Sequence, residues 1–373
     1  MTWFADLFEA LDHRQLIMIF VGAILIWLAT AKNYEPNLLL PMGFGTILVN
    51  IPLSSAITRM AEGSVQVGAL SLLFDIGIST ELFPLLIFIA VGAMIDFTPL
   101  LTRPVLFLFG MAAQLGIFIT MGLALMLGFD IREAASIGII GAADGPTSIY
   151  VSARFAPHLL GAVSVAAYTY MAIVPIIQPP VIRLLTTRQE RRITMSYSEK
   201  TVSRRTKILF PIAVTLVAGI IAPASVSLIG FLMFGNLVRE SGVLERLSLA
   251  AQNELANLVT LLLGLSISAT MTGERFVQPV TLLVIAMGLV AFILDTAAGV
   301  LAAKFLNLFL KKKVNPMIGA AGISAFPMSA RVIQRMGKAE NRDNFLLMHA
   351  VGANVAGQIG SVLAGGILLA WLS

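Results

Sequence analysis

An aspartate, a glycine and a proline stand in a row inside "IIGAADGPTSIY" (139–150), with long runs of Leu, Ile, Val, Ala and Phe on both sides. Gly145 permits backbone dihedrals closed to other residues, and Pro146 removes an amide donor and disfavours helix at the residue before it. The segment therefore interrupts a helix. It frees backbone carbonyls beside the Asp144 carboxylate and the hydroxyls of Thr147 and Ser148. Such an all-oxygen cluster suits a hard cation such as Na+, by the logic that governs Ca2+ and Mg2+. A lone carboxylate in an apolar interior is also a natural proton acceptor. A group able to hold either ion can couple the two. The competing use of Asp144 is a structural ion pair, for instance with Arg154.

A second interrupted stretch, "NPMIGAAGISAFPMSAR" (315–331), has no acid but offers Asn315, Ser324 and Ser329 as neutral oxygen ligands. Gly319 and Gly322 allow close backbone approach, Pro327 reopens the helix, and Arg331 follows. Arg331 can hold an anion by paired hydrogen bonds or snorkel to the interface. Tyr168 and Tyr170 lie in "AAYTYMAIVPIIQPP", with Gln178 ahead of a Pro-Pro stop. A tyrosine there is an interfacial anchor or a buried phenol that binds an ion or passes a proton. In "GANVAGQIGSVLAGG", Gly352, Gly357 and Gly360 make a small-residue face for tight helix contact. Asn354, Gln358 and Ser361 add polar groups to that helix. Asp295, in "AFILDTAAG", has no helix breaker beside it, which leaves interhelical hydrogen bonding or ion coupling.

The elements that must position these residues are membrane helices. Of 373 residues, 58% are hydrophobic and only 12% charged, about half the charged share of a soluble domain, and the mean hydropathy is +0.91. Apolar runs recur along the whole chain, among them 16–28, 105–127, 162–177, 208–221 and 281–301. Each approaches or exceeds the roughly 20 residues that cross a bilayer as a helix. The chain is an all-α polytopic membrane protein. Its start, "MTWFADLFEALDHRQ", has acidic residues before the first apolar run and no basic n-region, so it reads as mature chain with an amphipathic beginning. There is no cysteine, which removes disulfides, thiolate nucleophiles and thiolate metal sites. The three histidines, His13, His158 and His349, are scattered, against a His-metal site. The longest polar stretch, 183–207, carries the largest basic cluster, and positive-inside bias puts it in the cytoplasm. It is a topogenic signal alone or also a docking surface. Lys311–Lys313 fall on the same side if four spans separate them from it.

The basic loop divides two similar halves. "IGAADGPTSIYVSAR" (140–154) and "IGAAGISAFPMSAR" (318–331) share Ile-Gly-Ala-Ala and Ser-Ala-Arg, one residue out of register. "LLIFIAVGAMIDFT" and "VTLLLGLSISATMT" both precede a long apolar span, and each interrupted stretch is followed by a span with polar residues. This order predicts two inverted repeats of about five spans each, with interrupted helices meeting at the midplane, where secondary transporters bind substrate and ions. The divisions are 1–186 (broken segment 139–154), the cytoplasmic loop 187–207, and 208–373 (broken segment 315–331).

The chain resembles the β subunits of sodium-pumping, biotin-dependent decarboxylases, which act with oxaloacetate, methylmalonyl-CoA, malonate or glutaconyl-CoA. The resemblance covers nearly the whole chain. It is carried by "EAASIGIIGAADGPTSIYVSARFAPHLLG", "AAYTYMAIVPIIQPP", "KILFPI", "GNLVRESGVLERLS", "VNPMIGAAGISAFPMSARV" and "NFLLMHAVGANVAGQIGS". It implies a membrane subunit that decarboxylates carboxybiotin, consuming a proton, and couples this to Na+ export. The carboxybiotin is a substrate presented by a biotin carrier protein and loaded by a cytoplasmic carboxyltransferase α subunit. It implies Asp144 as a Na+ ligand alternating with H+, Tyr170 at a second sodium site and in proton delivery, and Asn315, Gly319 and Asn354 as further Na+ ligands. Ser324 and Arg331 are linked to ion passage and carboxybiotin. A homo-oligomer with a small membrane γ or δ subunit, scaffold and moving core domains, and a multi-pass place in the plasma membrane of a bacterium or archaeon are implied too, with no role for nucleic acid. Two departures stand out. Asp295 replaces the small or neutral residues of the family, and the chain is short for the oxaloacetate type, which leans toward acyl-CoA decarboxylases. Two other functions fit the oxygen cluster alone: a stand-alone sodium-coupled organic anion transporter, and a Na+/H+ exchanger that needs only Asp144.

Overall fold

The computed structural model describes residues 12–61, 64–195 and 201–372. The amphipathic start up to residue 11 and residues 196–200 of the basic loop lie outside them. Apart from a short antiparallel hairpin, Arg59–Ala61 with Ser64–Gln66, the regular structure is helical.

The first half opens with α1 (His13–Lys32) and α2 (Pro36–Asn50). Asp12 and Gln15 form a capping box at the start of α1, and Asn33 ends it in the left-handed region at φ 54°, a conformation asparagine tolerates. The two helices cross where a Cβ on Gly22 would come within 2.7 Å of the Gly43 carbonyl. Next comes Ala69–Phe74, a π-turn at Asp75–Ser79 and α3 (Leu82–Met94). Then follow α4 (Leu106–Ala113) and α5 (Leu115–Met126), one span with an irregular turn at Gln114. The first interrupted segment comprises α6 (Ile131–Gly138), a 3-10 turn at Ile139–Ala142 and α7 (Gly145–Phe155). The half closes with α8 (Leu160–Ala172) and α9 (Val174–Leu185).

The second half repeats the succession: α10 (Arg204–Ile221), α11 (Val226–Ser241), a π-turn at Ala251–Leu255 leading into α12 (Ala256–Ser268), and the long α13 (Pro279–Leu306). The second interrupted segment has a short helix at Met317–Ala320 and α14 (Met328–Glu340), and the chain ends with α15 (Leu347–Leu372). A π-turn thus precedes the third span on both sides of the loop. Four helices among the described residues are long and apolar enough to cross a membrane, or up to six if each of two bent pairs is one span. One bent pair is α8 with α9, at 72°. The Pro-Pro pair is no stop: α9 runs through Pro179 and Pro180 to Leu185. The bend falls earlier, where Pro175 occupies the first turn of α9, the place in a helix where its missing N–H costs least.

The halves interleave. α2 packs on α12, α3 on α11, α4 on α15 and α5 on α13. One apolar cluster gathers α1, α2 and α12 with Phe83 and Ile87 of α3; a larger one gathers α4 to α8, α13 and α15. The division at residues 187–207 is a division of the sequence and not of the packing. The basic loop lies at one face. Arg188 and Arg191 pair with Glu340 at 3.3 and 2.8 Å, Lys304 pairs with Glu190 at 3.3 Å, and Lys313 lines the same cleft as Glu190 and Ile193. The two basic clusters therefore share a side.

Candidate functional site

The first interruption is a change of backbone direction over two residues. Ala143 is left-handed (φ 53°) and Asp144 extended (φ −119°, ψ 94°), so α7 starts afresh at Gly145 with Pro146 in its first turn. Asp144 is the N-cap. Its carboxylate accepts from the Thr147 hydroxyl at 2.7 Å and from the Thr147 N–H at 3.4 Å. A third donor comes from the other half: the Ser361 hydroxyl of α15, at 2.7 Å. The carboxylate is buried. Arg154 points away and pairs with Glu81 at 3.3 Å, so the structural ion pair open to Asp144 from the sequence is not made.

The second interruption crosses the first directly. The Ser324 N–H donates to the Ala142 carbonyl at 2.8 Å. Three side chains on one face of α15, spaced as successive turns require, secure the crossing. Asn354 donates to the Ile323 carbonyl at 2.5 Å, Gln358 donates to the Ser324 carbonyl, and Ser361 reaches Asp144. The Ser324 hydroxyl returns a bond to the Gly357 carbonyl at 2.8 Å. Broken backbone survives in a membrane only where its polar groups are met, and amides meet the remaining ones. Gln178 donates to the Ala320 carbonyl at 2.9 Å and accepts from Ser329 at 3.0 Å. Gln114 donates to the Gly110 and Gly322 carbonyls at 3.0 and 3.3 Å.

The arrangement suits a small cation. Its donor set is oxygen throughout: a carboxylate, hydroxyls and carbonyls. Two acceptors, Asn354 Oδ1 and Gln114 Oε1, are buried without hydrogen-bond partners, as oxygens are when kept for a metal ion or water.

The structure brings Asp144, Thr147, Ser324, Asn354, Gln358 and Ser361 into this hydrogen-bonded cluster and leaves Tyr170, Asn315, Gly319, Arg331 and Asp295 outside it. Tyr170 donates to the Ile285 carbonyl of α13 at 2.5 Å. The tyrosine against the aspartate segment is Tyr168, whose ring occupies the space a Cβ on Gly145 would need. Two residues along a helix differ by about 200° in direction, so only one of the pair can face Asp144. Asn315 is fully engaged with backbone: its amide donates to the Arg191 and Ile193 carbonyls at 2.8 and 2.9 Å, and its oxygen accepts from the Met317 N–H at 3.1 Å. It ties the second interrupted segment to the basic loop. Gly319 packs on Gly299 of α13. Arg331 is exposed on the first turn of α14. Asp295 is fully buried, and the backbone N–H of Ile117 on α5 is a weak interhelical donor to it, too poorly aligned to satisfy either oxygen. Gln114 escaped the sequence reading, although a lone amide in the apolar run 105–127 was its signal.

The family model for the "Na+-transporting oxaloacetate decarboxylase beta subunit" matches residues 14–372. The chain is 51% identical over 366 residues to the methylmalonyl-CoA decarboxylase subunit beta of Veillonella parvula, covering 98% of this chain and 95% of the relative. It is 48% identical over 363 residues to the glutaconyl-CoA decarboxylase subunit beta of Acidaminococcus fermentans, covering 97% and 94%. It is 46% identical over 416 aligned positions to the oxaloacetate decarboxylase beta chain 2 of Salmonella typhi, covering 97% and 96%. With a carboxylate held by both halves at the crossing of two interrupted helices, the chain belongs to the β-subunit family of Na+-transporting decarboxylases, the membrane subunits of Na+-pumping decarboxylase complexes.

Proposed function

We propose that this subunit decarboxylates carboxybiotin and drives Na+ export through the crossing of its two interrupted segments. In the reaction the bond between the ureido nitrogen and the carboxylate breaks, CO2 leaves, and the nitrogen takes up a proton. Na+ is the cargo. Asp144 binds it together with the Ser361 and Thr147 hydroxyls and the free Asn354 oxygen, and Ser324 holds the second segment in place against the first. The observation that carries this reading is the bond from Ser361 to Asp144 beside the bond from Ser324 to Ala142. The ion site is built from the first interrupted segment and α15, and the second segment is bonded to both, so a shift of one segment against the other changes its affinity. Arg331, exposed at the start of α14, is the guanidinium suited to receive the carboxylate of carboxybiotin. Tyr168, against the aspartate segment, is placed to serve the Asp144 site. Tyr170, Asn315 and Gly319 act by holding α8, the loop and the second segment in position.

The matched succession of helices, π-turns and interruptions supports two repeats, and an odd number of spans in each would make them inverted. The carboxybiotin comes from a biotin carrier protein charged by a carboxyltransferase subunit, with a small membrane subunit alongside. The acyl-CoA class is favoured for the substrate of the complex, because those relatives align over 366 and 363 positions and the oxaloacetate relative over 416. The test is reconstitution with the carboxyltransferase and biotin subunits in vesicles containing labelled sodium. Substrate-dependent sodium uptake abolished by avidin supports the reading. Uptake that persists unchanged after avidin overturns it.

A further inference from the structure

Both Ile-Gly-Ala-Ala words rest on α13, one to two turns apart, and they meet it differently. Gly319 of the second word packs on Gly299, backbone against backbone. Gly141 of the first word packs on Ala291 and on the side chain of Asp295. A second glycine, Gly116 of α5, faces the same carboxylate: an added Cβ there would overlap Oδ1, and one on Gly141 would lie 2.8 Å from Oδ2. The space two side chains would fill is taken by one acid.

That acid has no solvent exposure, and neither oxygen has a hydrogen-bond partner. The Ile117 N–H acts on it only weakly, being shared with the Gln114 carbonyl at 3.1 Å. No neighbouring element supplies a countercharge. α4, α5, the turn Ile139–Ala142 and the helix Met317–Ala320 carry no charged residue. On α13 itself the nearest charge is Lys304, which is bound to Glu190 and to the Leu185 carbonyl. α6 carries Arg132 and Glu133 at its outer end, the latter paired with His158. α9 contributes the exposed Arg183, and α8 contributes the Tyr168 and Tyr170 phenols, the latter bound to Ile285.

An unpaired buried carboxylate is too costly to persist and must be neutralised. A sodium ion would need several oxygen ligands, whereas this carboxylate faces the Cα atoms of two glycines. A proton needs no shell. We propose that Asp295 is a proton-binding site of the membrane core, separate from the oxygen cluster at Asp144. Ile139–Asp144 joins the two: it carries one acid and covers the other, so its movement against α13 would reach both. The inference concerns ion binding and does not rest on carboxybiotin chemistry.

Infrared spectroscopy of the purified complex in lipid, near neutral pH and with saturating sodium, tests it. The carbonyl stretch of a protonated, at most weakly hydrogen-bonded carboxyl is expected, lost in Asp295→Asn and retained in Asp144→Asn. Labelled-sodium binding by Asp295→Asn should stay within about twofold of the unaltered complex. A spectrum unchanged by Asp295→Asn, or sodium affinity about tenfold weaker, would overturn the proposal. Should Asp295→Asn not assemble, Asp295→Glu keeps the acid and must move the band; a band left at its original position overturns the proposal equally.

Discussion

Asp144 has two tasks at once: it caps α7 and it gathers a hydroxyl from each half of the chain. Replacing it by asparagine keeps a cap of similar quality but removes the charge. Asp144→Asn should therefore abolish sodium uptake and carboxybiotin decarboxylation together, measured in reconstituted vesicles and by CO2 release. Decarboxylation retained without transport would show that the residue serves the ion path only. Ser361→Ala removes an oxygen that orients the carboxylate, and losing such a supporting partner should weaken apparent sodium affinity by about 10- to 100-fold, read from the sodium dependence of turnover. Gly145→Ala drives a methyl into the Tyr168 ring; overpacking of this kind costs about 1–3 kcal/mol, visible as a lower melting temperature in detergent. The aspartate and its breakers were legible in the sequence because dihedral and donor chemistry is local. The choice of Tyr168 over Tyr170 was not, because it depends on how α8 is rotated against α7 and α13.

Among the elements, α14 connects the second interrupted segment to the basic loop. Arg191 hydrogen-bonds Glu340 and, with Arg188, holds its carboxyl below the usual value. A carboxyl lowered in this way contributes its contact in full above the usual carboxylate range and loses it as pH falls through the lowered value. Glu340→Gln should release the loop at all pH values, and acid should release it in the unaltered chain. Both are read as faster hydrogen exchange over residues 187–195. Charge counting singles this loop out in the sequence, but its partners come from helices far along the chain, beyond the reach of such counting.

For the whole molecule, interleaving is the governing fact. Each half leaves apolar and small-residue faces that only the other half covers, as where α5 meets α13 and α4 meets α15. The fragments 1–195 and 196–373 should each aggregate or be degraded when expressed alone. Expressed together, they should copurify through a tag on either one. A fragment that is stable and monodisperse by itself would contradict this interleaved packing.

Helix content, membrane class, the two interruptions and their internal match were determined by the sequence alone, because composition, breaker residues and repeated words act over short distances. Tertiary structure decided which oxygens surround Asp144, which tyrosine faces it, that Asn315 serves the loop, and that Asp295 lies unpartnered between two glycines. Those outcomes depend on the rotation and depth at which helices from opposite ends of the chain cross. Crossing geometry is set by the sum of many side-chain contacts, which no single stretch of sequence contains.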